Sequence, residues 1–398
     1  MRFAFLTYAP PDDPLVWSGT PVYILRALVR AGHEIVNVGP LGPRYPLRER
    51  IKSRLYRHFK QRNYIINREP AVFRARGALA SRLLGSIEPV DAVIAAYPPD
   101  IAFVETTLPI VLIHDATWNQ LLDFYPEFST HRLAPETVAG GHLLERLALR
   151  NATRLLYFTR WAADSAVGDY GVAPEKVDIA LPGANLDDPP RRDEVEYSVR
   201  EMRGRGACRL LFIGKDWLRK GGDVAVQIVS ELRKLEIDAE LVAVGSRPPT
   251  SRSLPSFVKF AGFLDKADPD DARALRHLLL SSDFFLMPTR AECAGLVFCE
   301  AAAHGVPSLS TDVGGVSELI ATGAMGTTLP LEADPMQYAR WIAQAYRDRS
   351  RYERLALGAR QRFESVLNWG SFTHALAATV ERAANDLLQQ RGSLVLQE

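Results

Sequence analysis

The chain has 398 residues, with 48 Lys and Arg against 47 Asp and Glu, 47% hydrophobic residues and three cysteines. At about 100–200 residues per domain, this length gives about two domains, each large enough to bury a core without metal or disulfide staples. A formal charge of +1 offers no global field for nucleic acid, so no nucleic-acid partner is expected, although a balanced total can hide a local basic block.

The amino terminus, MRFAFLTYAP, lacks the long apolar region and cleavage site of a signal peptide and reads as a first strand. No stretch approaches the roughly 20 consecutive apolar residues that span a bilayer, and Cys208, Cys293 and Cys299 suit a reducing compartment. A cytoplasmic protein is expected. Cys293 and Cys299 have no companion His pair and read as packing residues, so no metal is expected.

Short apolar runs alternate with longer amphipathic stretches, the form of βαβ units on a mostly parallel sheet. In the first half the pattern predicts strands over Phe3–Thr7, Glu34–Val38, Ala92–Ala96, Ile110–His114 and Leu155–Phe158. Helices are predicted near Thr20–Ala31, Gly140–Arg150 and Arg160–Tyr170. The pattern restarts with strands over Arg209–Ile213, Ala239–Val244, Val258–Ala261, Phe284–Met287 and Pro307–Ser310. Between the halves, Leu181 to Arg205 carries Pro182, Pro189, Pro190 and a charged run, which marks the interdomain joint. The last amphipathic helix, Ser371 to Gln390, gathers Phe372, Leu376, Val380 and Leu387 on one side.

The segment from Met287 to Pro307 joins a buried strand to a helix opening near Gly295. A helix start presents unsatisfied N–H groups, so the amides of Gly295, Leu296 and Val297 are candidates to receive a phosphate. Glu300 is a candidate acceptor for two ribose hydroxyls, or else an acidic first-turn residue that suits the helix dipole. Upstream, Lys215, Arg219 and Lys220 follow a strand and precede Gly221-Gly222, placing three cations beside a helix start where a diphosphate is neutralised. The alternative reading of the same loop is three solvated cations. It lacks the GxxxxGK[ST] spacing of a nucleoside triphosphatase.

In the first half, Trp17-Ser18-Gly19-Thr20-Pro21 opens a helix, with Thr20 predicted as its cap. His114-Asp115 falls at the carboxyl end of a strand, where ligands collect in open α/β sheets, although a lone His there also serves structure alone. Asp268-Pro269-Asp270 imitates a DxD metal motif but reads as a helix cap with an acidic first turn. The segment 44–76 holds eleven Lys and Arg against two Asp and Glu, with Leu47, Ile51, Leu55 and Phe59 at four-residue spacing. Such a basic amphipathic helix suits an anionic membrane surface, an anionic acceptor or a plain solvated face.

Together these pieces resemble the retaining glycosyltransferases of family 4, with the GT-B architecture. The resemblance rests on Ser18-Gly19 with its following helix, Phe158-Thr-Arg-Trp161, Pro182-Gly183, Lys215-x4-Lys220, and above all Glu292-x7-Glu300 with Gly295, Gly305 and Pro307. It implies an α/β fold of two Rossmann-like domains facing each other across a cleft, an acceptor-side domain over 1–185 and a nucleotide-sugar domain over 186–370. A terminal helix over 371–398 would return to the first domain. By the same resemblance Lys215 and Lys220 bind the donor diphosphate, Glu292 the sugar hydroxyls, Glu300 the ribose, Gly295 to Val297 and Gly19 the phosphates, and His114 the sugar near the reacting carbon. The family usually has Arg where Lys215 stands, and lysine cannot form the bidentate fork with phosphate.

The implied activity is metal-independent, retaining transfer from a nucleotide diphosphate sugar, UDP favoured and GDP-mannose next, to a small-molecule, lipid or saccharide acceptor. No cofactor is expected. A glycoside phosphorylase on the same fold, or a nucleotide-sugar-binding regulator without turnover, are the alternatives. The acceptor is expected to be anionic or lipid-linked, and the protein cytoplasmic or peripheral on the inner membrane face through 44–76.

Overall fold

The computed structural model describes residues 1–42, 45–202, 206–247, 249 and 254–395. Twelve strands among them form two six-stranded sheets, every neighbouring pair parallel. The first holds β1 (Arg2–Leu6), β2 (Glu34–Val38), β3 (Ala92–Ala95), β4 (Ile110–His114), β5 (Arg154–Tyr157) and β6 (Val177–Ile179), in spatial order β2-β1-β3-β4-β5-β6. The second holds β7 (Cys208–Gly214), β8 (Ala239–Gly245), β9 (Val258–Gly262), β10 (Phe284–Met287), β11 (Ser308–Thr311) and β12 (Gly326–Leu329), in order β12-β11-β10-β7-β8-β9. Central strands such as β3, Ala-Val-Ile-Ala, and β10, Phe-Phe-Leu-Met, are buried along their whole length, as helix-covered parallel strands must be.

The chain divides into two compact units: Met1–Leu181 with the segment from Trp369 onward, and Pro182–Asn368. The sequence reading places the joint over Leu181 to Arg205, with the first domain ending at 185; residues 203–205 of that stretch lie outside the described residues, as do 396–398 of the terminal segment. The strands Val177–Ile179 and Gly326–Leu329 are additions to the sequence reading. Both are short edge strands that pair on one side, and such segments carry little apolar pattern.

Helices of the first unit include α1 (Thr20–Arg30), α2 (Leu47–Leu55), α3 (Pro70–Leu84), α4 (Pro135–Asn151) and α5 (Arg160–Gly168). In the second, α6 (Gly222–Lys234) follows β7 and α7 (Val297–Ala303) follows β10. The last helix, α8 (Trp369–Val395), belongs to the first unit. Phe372, Leu376 and Val380 are buried on it, the Phe372 ring lies 5.6 Å from Phe158, and Asp386 accepts Arg154 Nε at 2.8 Å.

The strand orders fix where ligands collect. In the first sheet the chain leaves β1 to one side for β2 and returns to its other side for β3, so the order reverses between β1 and β3. In the second the same reversal falls between β7 and β10. The crevice outside the carboxyl ends of such strands is the binding locus of open α/β sheets.

Candidate functional site

At the reversal of the second sheet, the loop after β7 meets the loop after β10. Gly221 makes this possible. Its φ is +79°, and a Cβ there would fall 1.9 Å from the Pro288 carbonyl oxygen, so only glycine lets the two loops press together. The turn carries Lys220 onto Glu292, forming an ion pair whose side chains are 14% and 12% exposed. Arg219 Nη1 donates to the Ala291 carbonyl at 2.8 Å and stands 3.6 Å from Glu292 Oε2. Two cations therefore share one nearly buried carboxylate.

The neighbouring residues hold Glu292 in place. Gly295, at φ +82°, leaves no room for a Cβ, which would lie 2.8 Å from the Phe298 ring and 3.1 Å from Glu292 Cγ. Phe298 N donates to Gly295 O, and the amides of Cys299 and Glu300 donate to Leu296 O, so the hydrogen-bond ladder of α7 begins at Phe298. The amides of Gly295, Leu296 and Val297 precede it, where a helix start presents donors. Glu300, 4% exposed, pairs with Lys266, whose Nζ also reaches the Asn185 carbonyl at 3.4 Å. The sequence reading missed Lys266, which is 34 residues from its partner, and gave Arg219 no separate role. Lys215 is exposed, with its ammonium 5.5 Å from the Phe263 ring, and it is not one of the cations paired with Glu292.

In the first unit, His114 ends β4 with its side chain 14% exposed and its ring stacked 5.6 Å from Trp17, which stacks in turn 5.1 Å from Phe158. Trp17 Nε1 donates to Asp115 Oδ2 at 3.0 Å. Burial draws the His114 imidazole below its ordinary range, Asp115 and the Ala116 backbone oppose this, and Arg68 adds to it. Neutral imidazole is the resulting form near pH 7. The approach to α1 is strained, with φ of +46° at Trp17, +56° at Ser18 and +81° at Gly19. The cap of α1 is Gly19 rather than the predicted Thr20, whose hydroxyl instead donates to the Trp17 carbonyl at 2.7 Å. A left-handed Gly19 leaves Thr20 already helical, so its side chain cannot cap.

The basic segment divides into two parts. Arg44 lies outside the described residues. Helix α2 passes at Leu55 into a wide turn over Tyr56–Lys60, and Leu47, Ile51, Leu55 and Phe59 are 69%, 48%, 50% and 73% exposed. Glu49 and Tyr56 face inward. Arg68 and Arg76, by contrast, are buried, which corrects the expectation of one continuous basic surface helix. The Asp268 side chain accepts the amides of Asp270 and Asp271 at 2.8 and 3.1 Å, so the DxD imitation is a helix cap. Among the described residues no group of three His, Cys, Asp or Glu is placed to hold a metal ion, and no helix is long and apolar enough to cross a membrane.

Residues 207–348 match the family described as Glycosyl transferases group 1. Among curated proteins, the D-inositol 3-phosphate glycosyltransferase of Paenarthrobacter aurescens (strain TC1) is 33% identical over 189 residues, 46% of this chain and 46% of that protein. The chain thus matches about half the length of such relatives. Among solved structures, Alr3699/HepE of Anabaena in complex with UDP aligns with a TM-score of 0.65 at 14% identity, over 96% of this chain and 100% of that one. A glycosyltransferase from Rickettsia africae aligns at 0.63 and 15% identity, over 96% and 98%. At such identities the likeness establishes the fold.

Proposed function

We propose that the chain is a family 4 glycosyltransferase of GT-B fold, supported by its group 1 match over residues 207–348 and its similarity to curated glycosyltransferases, and that it transfers a sugar, with retention, from a nucleotide diphosphate sugar to an acceptor hydroxyl. The observation that carries this is the pairing of Lys220 and Arg219 with one nearly buried carboxylate at the strand-order reversal of the second sheet.

The charges supply the chemistry. Cleaving the sugar–phosphate bond leaves a nucleoside diphosphate with growing negative charge, and prepositioned cations stabilise it without reorganising at the moment of reaction. Lys220 and Arg219 stand where that charge develops, Lys215 adds a flexible third cation, and the amides of Gly295, Leu296 and Val297 receive phosphate oxygens. This reading needs no divalent ion and no cofactor. Glu292, held by Lys220, accepts hydroxyls of the donor sugar, and Glu300, with Lys266 on Oε1, accepts the ribose through its other oxygen. By family resemblance Gly19 serves the phosphate side, and His114, neutral, hydrogen-bonds the sugar near the reacting carbon. UDP is the favoured nucleotide, supported by the UDP held in the Anabaena structure, with GDP-mannose next.

The acceptor is a small molecule, lipid or saccharide. The name of the curated relatives records a phosphorylated small acceptor for those proteins. The four exposed apolar residues from Leu47 to Phe59, flanked by Arg48, Arg50, Lys52, Arg54, Arg57 and Lys60, support peripheral contact with an anionic membrane from the cytoplasmic side. The catalytic reading is tested by Lys220→Ala and Glu292→Gln, each expected to lower transfer at least ~10²-fold. Unchanged transfer removes them from catalysis, and phosphate-dependent cleavage of disaccharides in place of transfer would make the enzyme a phosphorylase.

A further inference from the structure

The turn before α1 carries a strain that the donor chemistry leaves unexplained. Among the described residues, Trp17 and Ser18 are the only adjacent non-glycine pair with positive φ, at +46° and +56°, and Gly19 continues the bend at +81°. A bulky residue holds that conformation only where its surroundings over-determine it, and such residues gather at ligand clamps and active sites. At Trp17 the over-determining group is the indole. It lies on Phe158 with ring centroids 5.1 Å apart and planes within 2° of parallel. Phe158 is fully buried and is wedged edge-on by Phe372 at 5.6 Å and Trp369 at 6.2 Å, both on α8, so this floor is rigid. The same indole stacks 5.6 Å from the His114 ring, and its Nε1 donates to Asp115 Oδ2 at 3.0 Å.

His114 is held along one edge. Its Nδ1 faces the Ala116 carbonyl and takes the Ala116 amide at 3.2 Å, whereas Nε2 has no hydrogen-bond partner among the described residues. Nε2 is therefore the edge left for a ligand. Two charged groups act on the ring. Asp115, with Oδ1 3.6 Å from Nδ1, favours the cation, and Arg68, from the turn before α3, opposes it. Water beside the ring would also favour the cation, because burial is what draws this imidazole below its ordinary range. Trp17 works against both influences, since its indole lies over the ring and its N–H engages the carboxylate.

We propose that Trp17 is the positioning residue of His114, its indole shutting water from the imidazole while its N–H draws the Asp115 carboxylate away. The strained turn is what brings an indole from the approach to α1 over a histidine at the end of β4. An uncharged imidazole can donate or accept at Nε2, which suits a sugar hydroxyl. That His114 meets the sugar rests on the glycosyltransferase reading, whereas the hold of Trp17 on His114 does not.

The test is a proton NMR titration of the full chain between about pH 5 and pH 8, the range in which histidine changes charge. His114 is one of eight histidines, and its imidazole signal is the one absent from His114→Gln. The wild-type midpoint is expected below about 6.5. Trp17→Phe keeps a ring over His114 and loses the N–H, so its midpoint should lie above that of the wild type. Trp17→Asn, whose side chain tolerates a left-handed backbone and so preserves the turn, loses ring and N–H together and should raise the midpoint further, to about 6.5 or above. A residue that served structure alone would destabilise the chain without ordering the midpoints in this way. The same midpoint in all three folded proteins, or a lower one in either variant, overturns the proposal. Adding UDP-glucose or GDP-mannose to the wild type, with UDP and GDP as controls, tests the glycosyltransferase reading separately, because the sugar-bearing nucleotide should move the His114 signal and the bare one should not. Midpoints in the expected order with no response to either nucleotide sugar leave the hold of Trp17 on His114 standing and remove His114 from the sugar.

Discussion

Gly295→Ala measures how tightly the candidate site is built. The residue has φ +82°, where an L side chain costs about 1–2 kcal/mol. The added Cβ would also meet Phe298 at 2.8 and 2.9 Å and Glu292 Cγ at 3.1 Å. Crowding a packed site costs about 1–3 kcal/mol more, for a total of about 2–5 kcal/mol. Gly323→Ala is the control, because Gly323 has φ +88° and nothing within 4 Å of its Cβ position. It carries the strain without the crowding, so the difference between the two variants isolates the packing around Glu292. At about 2–4 °C per kcal/mol for a domain of this size, calorimetry should place the Gly295→Ala transition roughly 2–12 °C below that of Gly323→Ala. Sugar transfer should fall in Gly295→Ala alone, since the crowding displaces Glu292. Equal melting shifts in the two variants would refute the claim that Gly295 packs the carboxylate into place.

The pH behaviour of the first unit contains two opposed contributions. His114 is held below its ordinary value, so the unfolded chain takes up its proton first, and this contribution to stability is lost as pH falls below about 6.5; His114→Gln should flatten urea unfolding between pH 7 and 5. Asp100 is held above its ordinary value, so its contribution is present at low pH and is lost as pH rises from about 4 through about 7. Asp100→Asn should therefore stabilise more at pH 8 than at pH 5, and the reverse order would place an ionised carboxylate there. Vesicles rich in anionic lipid should co-sediment the wild-type chain at low salt, less at moderate salt, and scarcely at all after Ile51→Glu with Phe59→Glu. Equal sedimentation of the double variant would exclude this face.

The sequence displays most of the scaffold because parallel strands bury both faces and so read as unbroken apolar runs, as Phe284–Met287 and the first four residues of β4, Ile110 to Ile113, do. The Asp268 cap is equally local, since a side chain two and three residues from its amides needs no tertiary partner. The parts that escape are set by distant geometry. Which of Lys215, Arg219 and Lys220 meets Glu292 depends on the approach of Gly221 to Pro288, and three loop cations carry no mark of it. Lys266 is an ordinary loop lysine until the fold brings it to Glu300. In the basic segment, Arg48 and Arg76 look alike in sequence, yet the chain turns after α2 and carries Arg68 and Arg76 inside. A charge count cannot register that change of direction.

If Lys220 and Arg219, anchored on Glu292, form a seat for a nucleoside diphosphate, then thermal unfolding followed while UDP is titrated into the wild-type chain and into Lys220→Ala will report it. A ligand at 100 times its dissociation constant stabilises by about 2.7 kcal/mol, so UDP should raise the wild-type transition clearly, and most of that rise should vanish in Lys220→Ala. A rise of the same size in both proteins, or none with either UDP or GDP, would contradict it.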